Sequence, residues 1–110
     1  MSAVRVLEYL DTQGRSPYAV WFESLGAAAA AKVAAALYRM AEGNISNVKS
    51  VGSGVLERRI DFGPGYRIYF GRDGESLVIL LGGSSKQRQS QAIRMAAARW
   101  SDYKRRKGLG

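Results

Sequence analysis

The chain has 110 residues, 46% hydrophobic and 24% charged, with 17 Lys and Arg against 9 Asp and Glu, a net charge of +8 and a pI of about 10.2. That is the profile of one ordinary globular domain, and the basic excess favours a polyanionic partner such as RNA, DNA or an acidic protein. Cys and His are both absent, which excludes disulfides, thiolate or His-based zinc sites, and Ser-His-Asp or Cys-His catalysis. The start of the chain lacks the basic-then-apolar pattern of a signal peptide. No apolar stretch approaches the length of a membrane span, so a cytoplasmic location without membrane partners is expected.

Val4, Val6, Leu7 and Tyr9 mark a first strand within residues 3–10. A turn at 11–14 follows, and Ser16-Pro17 then starts a helix, with serine as N-cap and proline at the first helical position. Tyr18, Trp21, Phe22 and Leu25 fall on one face of that helix, and Gly26 is expected at its C′ position. A second helix spans 27–42, with Val33, Leu37 and Met40 as its apolar stripe. Gly43-Asn44 stops it. The two helices should form an αα-hairpin packed on a sheet. Residues 45–54 read as a loop, and their glycines do not form a Walker pattern.

The centre of the chain is the stretch from Val55 to Gly71. Two runs that alternate apolar and polar residues flank Gly63-Pro64-Gly65, which predicts a β-hairpin. Leu56, Ile60, Phe62, Tyr66, Ile68 and Phe70 should line a packed face. The other face should carry Glu57, Arg59, Asp61, Arg67 and Tyr69, either as a phosphate-handling surface or as a solvated face with cross-strand ion pairs. Arg58 sits at core parity and is expected to snorkel past a sheet edge. Truncation of Arg67, whose parity is opposite to that of Ile68, is expected to open no cavity.

Asp73-Gly74 makes a second tight turn. Residues 76–81, apolar on both parities, should be a central strand buried on both faces. Ser84 and Gln87 have capping-box spacing before the last helix, whose buried stripe is Ile93, Ala97 and Trp100. Its exposed side is basic, with Arg88, Arg94, Arg99 and Lys104-Arg105-Arg106-Lys107, and residues 104–110 are expected to be a frayed tail. Arg58, Arg88, Lys104 and Arg105 are candidate RNA contacts. Lys86 falls at the helix start, where free backbone N–H groups bind anions.

The order of elements and the hairpin sequence resemble the RelE/ParE toxin superfamily of toxin–antitoxin modules, in particular the addiction-module killer branch that includes HigB-like toxins. The resemblance is carried by residues 47–55, by Glu57 to Ile60, by Gly63-Pro64-Gly65-Tyr66-Arg67-Ile68-Tyr69-Phe70, and by residues 79–83 followed by Lys86. It implies an α+β fold in the order βααβββα: a small antiparallel sheet, an N-terminal helical hairpin and a C-terminal helix, in a single domain over 1–110. RelE-type members cut mRNA, often on the ribosome, and ParE-type members poison DNA gyrase. Both are neutralised by an antitoxin encoded alongside, here expected to be a helix-turn-helix protein.

The resemblance places Arg59, Arg67 and Lys86 where the ribonuclease members hold and polarise the scissile phosphate. The chain departs from the branch at Arg58, usually leucine, and at Ser85, usually aspartate. It also lacks the tyrosine that RelE-type members carry early in the last helix. Tyr69 is the nearest substitute, and Glu57 is either a base or an orienter of Arg59.

The chemistry expected is a metal-independent endoribonuclease that needs no cofactor, since RNA supplies its own 2′-OH nucleophile. Glu57 and Asp61, four residues apart on a strand, stand roughly 13 Å apart, too far to share an ion. The alternatives are a gyrase inhibitor without chemistry of its own and a basic nucleic-acid-binding module.

Overall fold

The computed structural model describes residues 3–108. Five strands form one sheet: β1 (Arg5–Glu8), β2 (Val48–Ser50), β3 (Leu56–Ile60), β4 (Tyr66–Arg72) and β5 (Leu77–Ser85), in the order β1-β5-β4-β3-β2. Helices α1 (Pro17–Glu23) and α2 (Ala27–Ala41) cover one face, and α3 (Gln89–Arg106) covers the other. The α+β class expected from the sequence is present. The antiparallel expectation needs correcting at one edge, where β1 pairs with β5 in parallel. The order is βααββββα, because Val48–Ser50 is a short edge strand antiparallel to β3 within the stretch read as loop.

Leu77 to Leu81 is the hub, as its two-sided apolar sequence requires. Val78 and Leu80 point to the helical hairpin, while Ile79 and Leu81 point to α3. The first core joins them to Tyr18, Val33, Ala36, Met40, Ile60, Ile68 and Phe70. The second joins Tyr9, Val55, Tyr69, Ala96 and Trp100. The two indoles lie against glycines on opposite faces. A Cβ at Gly83 would come within 2.2 Å of Trp21, and one at Gly71 within 2.5 Å of Trp100. These glycines are flat seats for rings; any side chain there would occupy indole space.

Helix α1 starts as its sequence predicts, with Ser16 Oγ accepting from the Ala19 N–H at 3.0 Å and Pro17 in the first turn. Gly26 is the N-cap of α2, and α1 is capped by Ser24, so the glycine serves the following helix. The capping box at Ser84 does not form. β5 runs on to Ser85, Ser84 Oγ faces Tyr69, and a 3₁₀ turn over Lys86–Arg88 leads into α3.

The basic C-terminal segment is ordered helix through Arg106, which corrects the frayed reading for 104–106. Arg105 donates to Asp102 at 2.6 Å, and Arg106 donates to Asp102 and to the Leu10 carbonyl. Lys107 Nζ donates to Asp73 at 3.0 Å. Residues 109 and 110 of that expected tail lie outside the described residues. No described helix is long and apolar enough to cross a membrane.

These clamps predict acid lability. The hydroxyl of Tyr9 and then Arg106 hold the Asp102 carboxyl below its ordinary range, and Tyr103 and then Lys107 do the same for Asp73. A depressed folded-state pKa stabilises above the unfolded value of about 3.9 and is lost as pH falls through the folded value. The thermal midpoint should therefore drop below about pH 4, and Asp102→Asn should flatten part of that drop. An unchanged acid profile in the variant would contradict this reading.

Candidate functional site

Strands β3 and β4 place Glu57 opposite Tyr69 and Arg59 opposite Arg67, all on the α3 face. Like charges directly opposite each other in a sheet are unfavourable, so Arg59 facing Arg67 needs a reason. Part of it lies one pair along the ladder. Glu57 is 0% exposed, and its Oε2 stands 3.6 Å from Arg67 Nε and accepts from Gln89 Nε2 at 2.9 Å. Lys49 Nζ reaches to 4.0 Å of Oε1. Arg67, 9% exposed, is thus ion-paired at its inner end with a buried carboxylate, at a separation too long for a hydrogen bond.

Its outer end comes to the hairpin turn. Arg59, Asp61, Phe62, Gly63, Pro64, Gly65, Arg67 and Lys86 line an open depression of about 370 Å³. Gly65, at φ +87°, turns the chain where a side chain would be strained. A Cβ there would meet Arg67 Nη1 at 3.4 Å and Lys86 Cβ at 3.7 Å. The Lys86 N–H donates to the Gly65 carbonyl at 3.0 Å, which ties the start of the last helical segment to the turn. That N–H is therefore spent on the fold, and Lys86 contributes its exposed side chain instead. Arg59 is half exposed and only loosely paired, 4.0 Å from the highly exposed Asp61. Three cations from three segments meet here with one solvent-facing carboxylate. The arrangement can bind a phosphodiester through two guanidinium forks and an ammonium.

No protein-family model matches the chain. An uncharacterised protein of Haemophilus influenzae is 44% identical over 68 residues, 62% of this chain and 69% of that protein. The two proteins belong to one family. Among solved structures, the Escherichia coli toxin RelE, a mutant with two arginines changed to alanine in the free state, superposes with a TM-score of 0.66 and 18% identity over 89% of this chain and 98% of that one. The chain has the RelE fold.

On this RelE fold the residues singled out in the sequence separate into groups. Arg59, Arg67 and Lys86 converge on the depression. Glu57 lies behind it, sealed from solvent, and orients Arg67; the expected partner, Arg59, points outward. Glu57 has no solvent-accessible surface and faces Arg67 from inside the fold.

Tyr69 is 0% exposed, with its hydroxyl 3.1 Å from Ser84 Oγ, and burial pushes its pKa up to about 12. The phenol is part of the second core and does not line the depression. Arg58 is 5% exposed on the opposite face, so it neither snorkels freely nor reaches the depression. Arg88 is exposed and lines a neighbouring groove with Trp21, Tyr66 and Met95. Lys104 lies over the Trp100 ring at 5.8 Å, and Arg105 is engaged by Asp102, so both make intramolecular contacts away from the depression.

Sequence reasoning missed Gln89 and Lys49, the other two partners of Glu57. Lys49 lies on the unrecognised edge strand, directly opposite Glu57, so recognising that strand would have identified it. Gln89, 32 positions from Glu57, carries no sequence signal of the contact.

Proposed function

We propose that the chain is the toxin of a type II toxin–antitoxin module, of the HigB-like branch, and acts in the cytoplasm as a metal-independent endoribonuclease on ribosome-bound mRNA. The observation that carries this reading is the directly opposed pair Arg59 and Arg67 with Lys86 across Gly65. A phosphate between them converts a repulsive arrangement into an attractive one.

In the reaction the 2′-oxygen attacks the adjacent phosphorus and the bond to the 5′-oxygen breaks. The products are a 2′,3′-cyclic phosphate and a 5′-hydroxyl. Arg67, fixed by Glu57, and Arg59 stabilise the charge gathered on the non-bridging oxygens. Lys86 donates a proton to the leaving 5′-oxygen, and the 2′-OH proton passes to water in the open depression. The protein's contribution is alignment and charge, which suits a chain without imidazole. An acidic antitoxin segment that covers the depression would inhibit by occupying the phosphate's place, favoured by charge complementarity with this chain of net charge +8.

Purified protein incubated with translating ribosomes and mRNA should produce defined cuts. Arg59→Ala and Lys86→Ala should each reduce cutting by about 10²–10³-fold, the usual cost of one charge-stabilising group. Both side chains are exposed, so the variants should keep the wild-type thermal midpoint. Intact mRNA together with gyrase-dependent DNA breaks would contradict the reading and favour a ParE-like target; binding with neither outcome would leave only a nucleic-acid-binding module.

A further inference from the structure

Strand β1 pairs with β5 only from Leu77 to Leu80, and β5 runs on to Ser85. The last residues of β5 therefore have β4 on one side and no strand on the other. Residues of α1 and α3 flank this open edge and leave a groove between them. It consists of two cavities of about 330 and 380 Å³ that share Trp21, Gly83, Ala92 and Met95 as walls. The groove is open to solvent: Met95 is 45% exposed, Arg88 is exposed, and Trp21 and Tyr66 are only partly buried. Its aromatic wall is already in place. The six-membered ring of Trp21 is seated on Gly83, and Tyr66 stands 6.4 Å away, tilted by 60°. Among the described residues, Arg88 is the only charged one lining the larger cavity, and it takes part in no ion pair.

The groove starts where the Arg59–Arg67–Lys86 depression ends. Gly65 and Lys86 line the depression, while their chain neighbours Tyr66 and Ser85 line the groove. Tyr66 and Ser85 are partners across the ladder, so one pair divides the two sites. We propose that the nucleotide on the 3′ side of the cut places its base in this groove, stacked on Trp21 and Tyr66, with Arg88 as the adjoining cation. The polarity rests on the ribonuclease reading above. Lys86 protonates the leaving 5′-oxygen, which belongs to the 3′ nucleotide, and the groove opens on the Lys86 side. An unpaired base stacks on exposed aromatic rings and guanidinium planes whatever its identity. A free sheet edge can also accept a peptide strand. The phosphate site one ladder pair away favours the nucleotide, because a base attached to the bound phosphodiester arrives at the groove already tethered.

The test uses the full chain, labelled with ¹⁵N, and follows the Gly65 amide and the Trp21 indole N–H, one of two tryptophan signals. The probe is a dinucleotide with one phosphodiester, methylated at its 2′-oxygen to block cutting, with counterparts that lack the 3′ base or the 5′ base. The intact dinucleotide, at millimolar concentration, should move both signals. Loss of the 3′ base should keep the Gly65 shift, abolish the Trp21 shift and weaken binding roughly tenfold. Loss of the 5′ base should leave the Trp21 shift in place. Arg88→Ala, an exposed change, should weaken the intact dinucleotide and melt as the wild type does. A Gly65 shift without a Trp21 shift, or a Trp21 shift that survives loss of the 3′ base, would overturn the base site and leave the phosphate site standing. Shifts at neither position would overturn both. A peptide of alternating valine and glutamate that moves Trp21 when the dinucleotide does not would assign the edge to a protein strand instead.

Discussion

Arg67→Ala should abolish cutting and also destabilise the protein by about 3 kcal/mol, toward the lower end of the range for breaking a buried pair. The parity argument from the sequence expects loss of activity alone, since no apolar volume is removed. The structure changes that expectation because Arg67 shields Glu57, which has no exposed surface of its own. Removing the guanidinium leaves a sealed carboxylate with Gln89 as its close partner and Lys49 at 4.0 Å. Those two partners are why the lower end applies. In a domain of this size about 3 kcal/mol corresponds to a fall of roughly 10–20 °C in the thermal midpoint. A double-mutant cycle with Glu57→Gln separates the two effects. The neutral amide needs no counter-ion, so Arg67→Ala should cost much less stability in that background, while activity stays lost in both. A wild-type midpoint for Arg67→Ala alone would show that the pair contributes nothing to the fold.

Trp100→Ala should cost about 3–5 kcal/mol, as large aromatic truncations in cores do. The indole closes the second core. It is nearly fully buried, stacks on Tyr103 with ring centroids 5.2 Å apart, and lies on Gly71. Gly71→Ala tests the same contact from the sheet side. A methyl placed 2.5 Å from the ring must push the indole out, at about 1–3 kcal/mol. The two changes should not add. With the indole gone, the Gly71 methyl enters vacated space, so Gly71→Ala should be nearly neutral in the Trp100→Ala background. Denaturant midpoints of the four proteins check this, and strict additivity would mean that the ring moves away from Gly71 in solution.

The hairpin, the central strand and the α1 start were legible in the sequence because each rests on a strong local rule. Alternation placed Leu56, Ile60, Ile68 and Phe70 on one face, two-sided apolarity placed β5 inside, and Ser16-Pro17 set a helix start. The same alternation misled on the second face. Its polar residues suggested solvent, yet α3 covers Glu57 and Tyr69, and only Arg59 and the tip of the hairpin stay open. A strand's pattern reports side-chain polarity and says nothing of a helix that arrives 30 residues later. Edge strand β2 escaped notice because three residues, Val48-Lys49-Ser50, are too few to show a period. The convergence of Arg59, Arg67 and Lys86 was legible only through the family resemblance. The role of Glu57 as the anchor of Arg67, and the burial of Arg58, required three-dimensional placement.

In the proposed reaction three cations align an RNA whose own 2′-OH does the cutting. The most direct measurement compares an mRNA substrate carrying 2′-O-methyl at the cut position with its unmodified twin, on translating ribosomes, with the metal requirement probed by EDTA on a matched RNA oligonucleotide free of ribosomes. The unmodified RNA should be cut to a 2′,3′-cyclic phosphate, unaffected by chelation, and the methylated position should stay uncut. Cutting of the methylated substrate, or strict dependence on magnesium, would contradict that mechanism.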